Sequence, residues 1–124
     1  MTDWTADELD TIGQTDTIRI ASRRPDGSLR RLIPVWIVRA GDDVYVRSAY
    51  GWDNPWFQRA LKSGDGRIRA GSLERDVSFE QPGPEVADEV TAAYHAKYDR
   101  YGPRMVGTVV SAEAARSTLR LVPR

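Results

Sequence analysis

The second strand-like segment of the chain, residues 31–39, is apolar on both of its faces. Strand side chains alternate between faces. One face carries Leu32, Pro34, Trp36 and Val38, and the other carries Ile33, Val35 and Ile37. An antiparallel sheet normally keeps one face in water, and burying such a face stabilises a fold by several kcal/mol at about 25 cal/mol per Å². The pattern therefore predicts that a helix, a second copy of the chain or a flat aromatic ligand covers the second face.

Turns on both sides of this segment predict that the sheet is antiparallel. Residues 17–22 alternate and are rich in β-forming side chains, so they predict the preceding strand. Pro25-Asp26-Gly27 is a turn, because proline presets φ, aspartate bonds back to the chain and glycine accepts a positive φ. Gly41-Asp42-Asp43 predicts a second hairpin turn, which leads into a third strand at residues 43–48.

Helices are predicted from their end signals. Thr5 and Glu8 have the spacing of a capping box, which predicts a helix over residues 5–12. Asn54 precedes Pro55, an N-cap followed by the proline that favours a first helical position, and this helix should end near residues 63–64. Acidic residues at the start of residues 85–100 and basic residues at their end match a helix dipole.

The remaining segments complete the expected sheet. Residues 67–70 and 75–80 are strand-like, and Pro82-Gly83-Pro84 interrupts the chain after them. A last pairing element is expected at residues 105–110 or at residues 118–122, with a helical turn over residues 112–116 between the two. The sequence predicts one domain over residues 1–124, because 124 residues divided in two would leave pieces too small to hold a core.

Charge and composition limit the function classes. Eighteen Lys and Arg residues balance eighteen Asp and Glu residues, which argues against binding to a nucleic-acid backbone or an anionic membrane. The chain has no cysteine and one histidine, His95, so neither a thiolate site nor a histidine metal site is expected. Residues 1–8 are acidic and lack the apolar region of a secretory signal, and no apolar run approaches about 20 residues. We expect a soluble cytoplasmic protein.

The best candidate for a site is the segment of residues 43–59. This segment contains a strand that ends in Arg47-Ser48, then a glycine, then a helix N-terminus. Together they place cationic and N–H donors around one concave spot, which suits a phosphate. Arg47 would form a charge-assisted fork and Ser48 would donate its hydroxyl. The alternative is that Arg47 is a solvated arginine at a strand edge and that Ser48 only ends the strand.

The aromatic residues also allow two interpretations. Trp56 either faces the site or anchors its helix to the sheet, and Arg59, one turn further, either reaches the same anion or faces water. Tyr94, Tyr98 and Tyr101 share helical spacing with Val90, as expected for core packing or for an aromatic wall that faces a ligand or a subunit. His95 is expected at the surface, where Asp99 at i+4 can pair with it.

With these elements in place, the chain resembles the split β-barrel flavin-binding superfamily over about residues 18–79. This superfamily includes the pyridoxamine-phosphate-oxidase-like proteins and the deazaflavin-dependent nitroreductase-like proteins. The resemblance rests on Arg24-Pro-Asp-Gly-Ser-Leu-Arg30, Pro34-Val-Trp-Ile-Val38, Val44-Tyr-Val-Arg-Ser48 and Gly51 through Trp56. The pattern Ala93-Tyr-His-Ala-Lys-Tyr98 resembles, more closely, an uncharacterised bacterial family common in actinobacteria.

The resemblance implies an α+β fold, mainly β: a split antiparallel β-barrel with flanking helices. It further implies a flavin phosphate at the end of the third strand and the start of the next helix, and a flavin ring along the second and third strands, usually at a homodimer interface. The residues implied for the phosphate are Arg47 and Ser48, with Trp56 and Arg59 beside it. The residues implied for the ring are Val35, Trp36 and Tyr45.

Two departures from the superfamily leave the cofactor open between FMN and a deazaflavin. Deazaflavin enzymes usually carry an asparagine where Arg59 stands, and pyridoxamine-phosphate oxidases carry a lysine soon after the residue that Ser48 matches. No residue is implied as an essential acid or base, because the cofactor performs hydride transfer and the protein positions it. The first hypothesis is therefore a flavin- or deazaflavin-dependent oxidoreductase of an unknown small molecule. The alternative is a cofactor-free small-molecule-binding protein or homodimeric interaction protein on the same fold.

Overall fold

Six antiparallel strands close into a barrel in the computed structural model of the protein, which describes residues 3–49 and 51–124. The strands are β1 (Thr17–Ser22), β2 (Ile33–Ala40), β3 (Asp43–Val46), β4 (Asp65–Ala70), β5 (Leu73–Glu80) and β6 (Leu119–Pro123). Their order around the barrel is β1-β2-β3-β6-β5-β4, and β4 pairs back onto β1. The predicted split-barrel α+β fold is confirmed.

Five α-helices flank the barrel in the described part of the chain. They are α1 (Ala6–Gln14), α2 (Pro55–Ser63), α3 (Ala87–Tyr98), α4 (Pro103–Val110) and α5 (Ala112–Ala115), and short 3₁₀ helices lie at Pro84–Val86 and Asp99–Tyr101. The predicted capping box of α1 is confirmed: Glu8 N–H donates to Thr5 Oγ1 at 3.1 Å, and Thr5 N–H donates to Glu8 Oε1 at 2.9 Å. Gly64 ends α2 as predicted, in the left-handed conformation with φ of 79°.

Residues 105–110 form part of helix α4, so their interpretation as a strand is wrong. Gly102-Pro103 provides the reason, because proline at the first helical position starts a helix in spite of the β-branched residues that follow. Val106 and Val109, three positions apart, are buried on one side of α4. The alternative at residues 118–122 is confirmed, because β6 pairs with β3 and β5 there.

Helix α3 packs on the outer face of β2. A helix was one of the three covers that the two apolar faces of this strand predicted. On the inner face, Ile37 belongs to the barrel core and is fully buried. On the outer face, Trp36 stacks on Tyr98 of α3 with ring centroids 4.1 Å apart and an angle of 6° between the planes. Val38 lies in the same outer cluster with Tyr94. A helix of this chain therefore covers this face at Trp36 and Val38, whereas Pro34 stays exposed.

Lys97 joins α3 to α1 and β2. Its ammonium group donates to the carbonyl oxygens of Ile12 at 2.9 Å, Thr15 at 2.8 Å and Ile37 at 2.7 Å. The last turn of α1 has no basic residue of its own, so Lys97 supplies the cation that a helix C-terminus favours.

The titration of Lys97 is a testable consequence of this position. Burial lowers the pKa of its ammonium group from 10.5 to about 8. The unfolded chain then binds more protons than the folded chain between pH 8 and pH 10.5, so this group makes folding more favourable as the pH rises through that window. Carbon-13 NMR of protein labelled at lysine Cε should show Lys97 titrating near pH 8. A Lys62→Arg variant assigns the signal, and a midpoint near 10.5 would contradict the expectation.

Within the described ranges, no helix is both long enough and apolar enough to cross a bilayer. The predicted loop of residues 48–53 includes Tyr50, which lies outside the described residues, as do Met1 and Thr2 of the N-terminal segment. The structure confirms the bounds of β1 and places the starts of β4 and β5 two residues earlier than predicted.

Candidate functional site

The segment that leaves β3 turns sharply before it enters α2. Arg47 and Ser48 follow β3 directly, and Gly51 has a φ of 98°, which a side chain would oppose. The Cγ atom of Glu113 would lie 2.6 Å from a Cβ at this glycine. The loop is therefore held close to α5, and it delivers α2 to the side of the barrel where β3 ends.

Asn54 stands at the predicted N-cap position of α2, but its side chain does not form the predicted capping bond. Its amide nitrogen instead donates to Ala49 O at 3.4 Å, which turns the side chain toward the loop. The backbone N–H groups of Phe57 and Gln58 donate to Asn54 O, at 3.1 Å in each case. Pro55 has no N–H, so Trp56 presents the one first-turn N–H without an acceptor among the described residues.

Arg47 is not the solvated strand-edge arginine of the alternative interpretation, because it is only 2% exposed. Its Nε donates to Thr118 Oγ1 at 2.9 Å, and its Nη1 donates to Thr91 Oγ1 at 2.8 Å and to Val109 O at 3.0 Å. Its Nη2 donates to Ala87 O at 2.9 Å. Arg47 therefore joins the end of β3 to α3, α4 and the start of β6.

The charge of Arg47 has no acidic partner in the described part of the chain. No carboxylate lies within 4.0 Å of its guanidinium group, and burial lowers the pKa of that group. A guanidinium has five N–H groups, and hydroxyl and carbonyl oxygens accept from four of them. The remaining N–H on Nη2 has no acceptor among the described residues. A buried cation without a counterion and with a spare donor favours an anion beside it.

A cavity of about 540 Å³ lies against Arg47, between β2, the β3–α2 loop, α2 and α4. This volume falls in the range of about 300–1,000 Å³ that is typical of small-molecule sites. Its lining is mostly apolar and consists of Thr17, Ile33, Pro34, Val35, Trp36, Arg47, Ala49, Asn54, Trp56, Met105, Thr108 and Val109. The cavity has the form of a ligand site: apolar walls with a few polar groups.

Four of the residues proposed from the resemblance line this cavity: Val35, Trp36, Arg47 and Trp56. Trp36 and Trp56 are both partly buried and provide aromatic surface on the β2 and α2 sides. Trp56 also packs against the barrel core and meets Phe57 edge to face, with centroids 6.1 Å apart. It therefore anchors α2 and lines the cavity at the same time.

Tyr45, Ser48 and Arg59 are not among the cavity-lining residues. Tyr45 is 1% exposed in the outer cluster below α3, where its hydroxyl accepts from Arg120 Nη2 at 3.3 Å. Ser48 is fully buried, and its hydroxyl donates to Ala49 O at 3.3 Å. Arg59 lies on the exposed face of α2, beyond Trp56, in a separate groove.

The contribution of α4 to the cavity was not predicted. Met105, Thr108 and Val109 form the wall opposite β2. Their place in the cavity wall was missed because they were predicted as a strand. Gly102-Pro103, which starts α4, is the sequence signal that indicates a helix here. Asn54 was predicted as a cap alone, although it also lines the cavity.

The predicted core packing is confirmed for two of the three tyrosines and is wrong for Tyr101, which lies beyond the end of α3. Tyr94 and Tyr98 are fully buried, whereas Tyr101, in the following 3₁₀ helix, is 44% exposed. His95 is exposed and pairs with Asp99 at 2.8 Å, as expected of a surface histidine. Across residues 3–49 and 51–124, no three His, Cys, Asp or Glu side chains are placed to hold a metal ion.

Solved structures share this fold at low sequence identity. A conserved hypothetical protein from Mycobacterium tuberculosis matches with a TM-score of 0.65 and 12% identity, over 98% of this chain and 80% of its own. A protein from Listeria innocua described as "Putative Pyridoxamine 5'-phosphate oxidase" matches with a TM-score of 0.61 and 10% identity, over 94% and 90%. An F420 reductase matches with a TM-score of 0.56 and 13% identity, over 93% and 90%.

These similarities show that the chain has the split-barrel fold that the putative pyridoxamine 5'-phosphate oxidase and the F420 reductase also have. At 10% to 13% identity, they show the fold alone. The chain has no match among the curated proteins. A family model described as "Uncharacterized protein conserved in bacteria (DUF2255)" matches residues 8–121, which is nearly the full length of the chain. The protein therefore belongs to this uncharacterised bacterial family.

Proposed function

We propose that this protein binds a flavin or a deazaflavin in the cavity beside Arg47 and acts as an oxidoreductase on a small molecule. The observation that carries the proposal is the position of a buried, counterion-free arginine in the wall of an aromatic-lined cavity. The fold is one that an F420 reductase also has, and F420 is a deazaflavin.

The residues of the cavity fit such a cofactor. A flavin ring is flat and aromatic, and Trp36 and Trp56 offer aromatic surface together with the aliphatic side chain of Val35. The phosphate of the cofactor needs donors, and we assign this role to the guanidinium group of Arg47, the backbone N–H of Trp56 and the side chain of Asn54. The predicted direct contacts of Tyr45, Ser48 and Arg59 with the cofactor stay predictions from the resemblance.

In this proposal, the bound cofactor supplies hydride transfer. The chain's own residues position the cofactor. Thr91, Thr118 and two carbonyl oxygens hold Arg47 in place, so its side chain loses little entropy when a ligand binds. The apolar walls of β2 and α4 exclude water from the ring. We further propose a homodimer, as the resemblance implies, with the small-molecule substrate entering beside the cofactor.

Two tryptophans of the same segment provide the test. Trp56 lines the cavity, whereas Trp52 is 38% exposed and is not part of the lining. In calorimetric titrations with FMN and with a deazaflavin, Trp56→Ala should weaken binding about tenfold, because an aromatic contact contributes about 0.5–1.5 kcal/mol beyond its buried area. Trp52→Ala should leave the affinity unchanged. Equal weakening by both variants would contradict the proposed position of the ring.

The second candidate function is a cofactor-free binding or interaction protein. One observation favours it: four of the five donors of Arg47 are satisfied by the protein itself, as expected of a structural arginine. In that case neither tryptophan variant changes an affinity for flavins, because the protein binds none.

A further inference from the structure

A basic groove lies on the other side of Trp56 from the cavity. It consists of two depressions of about 370 Å³ and about 510 Å³, and Arg24, Arg30 and Arg59 line both of them. Arg31 lines the first depression and Lys62 lines the second. We refer to these five cations as the arginine groove.

Two elements that are distant in sequence build the groove. Arg24, Arg30 and Arg31 come from the connection between β1 and β2, where Arg24 N–H donates to Ser28 O at 2.8 Å and Arg30 N–H donates to Ser22 O at 3.0 Å. Arg59 and Lys62 come from α2, three positions apart, so their side chains share one exposed helix face. The fold thus brings five positive charges together between the β1–β2 connection and α2.

These five charges form no salt bridge within the described residues, although the net charge of the chain is zero. Among the described residues, none of the five cations has a carboxylate within 4.0 Å, whereas other basic side chains form eleven ion pairs. One carboxylate lines the groove, that of Asp65, and it pairs with Arg23 and with Arg124. Asp26 in the connecting turn accepts from Ser28.

Arg30 gives a second, independent sign of a missing ligand. Its Nε is buried and has no hydrogen-bond partner in the described structure. An unpaired buried donor on a cation is costly, so such groups normally have an acceptor. Arg30 lines the groove beside Arg24 and Arg59, and a ligand bound there would supply such an acceptor.

We propose that the arginine groove binds an oligophosphate, which is a chain of two or more phosphate groups. Guanidinium groups bind phosphate oxygens in a bidentate fork, and five cations around a small volume require a compact ligand of high charge density. A single phosphate would leave most of these charges unmatched. The proposal does not depend on the cofactor of the cavity.

The groove and the cavity share a wall, since Ile33 and Trp56 line both. The oligophosphate can therefore belong to a ligand whose ring lies in the cavity, or to a separate ligand. Both sources present the same chemistry to the five cations. A competition experiment distinguishes them.

Calorimetric titration with sodium tripolyphosphate tests the site directly. We expect saturable binding at low ionic strength that is tighter than the binding of inorganic phosphate and that weakens as sodium chloride is added. Arg30→Gln should weaken this binding about tenfold, the effect of one charge-assisted hydrogen bond. The double variant Arg59→Gln with Lys62→Gln should weaken it more. Both of its residues are exposed on α2, so that variant keeps the fold even where Arg30→Gln does not.

The matched control is Arg116→Gln, which removes one exposed positive charge from a residue that does not line the groove. It should leave the affinity for tripolyphosphate unchanged. Absence of binding, or equal weakening by Arg116→Gln, would overturn the proposal. Tighter binding of a single-stranded oligonucleotide than of tripolyphosphate would also overturn it, in favour of a nucleic-acid surface.

Competition with FAD, which carries a diphosphate, separates the two sources. Displacement of tripolyphosphate by FAD but not by riboflavin supports a groove that holds the phosphate chain of the ligand in the cavity. Tripolyphosphate that stays bound in the presence of FAD supports a separate ligand. If FMN, FAD and a deazaflavin all fail to bind while tripolyphosphate binds, the cofactor proposal fails and the groove proposal stands.

Discussion

Replacement of Arg47 by methionine is expected to lower the free energy of unfolding by about 3 kcal/mol, because it leaves buried acceptors without a donor. The acceptors are the carbonyl oxygens of Val109 and Ala87 and the hydroxyls of Thr91 and Thr118. For a domain of this size, such a loss lowers the melting temperature by about 10 °C or more. Thermal and urea denaturation of the variant measure the effect.

The same substitution at an exposed arginine is the control. Arg104 on α4 is exposed and forms no side-chain hydrogen bond or ion pair within the described residues. Arg104→Met should change stability by less than about 0.5 kcal/mol. Arg47→Lys should not restore the wild-type stability, because an ammonium group cannot reach four separated acceptors from one nitrogen. A stable Arg47→Met protein would show that the arginine is not what joins β3 to the helices.

Replacement of Gly66 by alanine is expected to destabilise the barrel by about 4 kcal/mol, because a side chain at this position collides with backbone. Gly66 lies in β4 opposite Ser22 of β1, where the barrel closes. A Cβ atom here would overlap the carbonyl oxygen of Ala21 and would lie 2.9 Å from its carbon. The β1 backbone would have to move, which opens the seam between β1 and β4.

Gly107 in the interior of α4 provides the matched control for this change. Apart from the backbone of its own helix, no heavy atom of the described residues lies within 4 Å of a Cβ built at Gly107. Gly107→Ala should therefore be neutral or stabilising by up to about 1 kcal/mol, as expected for glycine to alanine in a helix. Urea unfolding curves of the two variants give the comparison. Similar stabilities for both would contradict the close approach of β4 to β1.

Much of the barrel was predictable because its signals are local. Alternation in residues 17–22, the turn at Gly27 and the capping box of Thr5 and Glu8 each depend on neighbours within a few positions. The two apolar faces of β2 also predicted correctly that something covers the outer face. The sequence left the identity of that cover open, because α3 lies about 50 residues further along the chain.

The candidate site was only partly predictable because its geometry depends on long-range packing. The sequence placed Arg47 at the end of the third strand, but the burial of this residue depends on α3 and α4, which follow 40 or more residues later. Whether Arg59 shares a site with Arg47 depends on the orientation of α2 against the barrel. In the structure, Trp56 lies between the two arginines. The arginine groove likewise exists only after the β1–β2 connection meets α2.

Equilibrium binding of flavins to the wild-type protein tests the central claim, a cofactor site in the cavity between β2, α2 and α4. In titrations that follow flavin or deazaflavin fluorescence, we expect saturable binding of one cofactor per chain. A Thr108→Trp variant, which fills the cavity from α4, should abolish that binding. Ala92→Trp, at an exposed position of α3, should retain it. Absence of saturable binding of FMN, FAD and a deazaflavin to the folded wild-type protein would contradict the account.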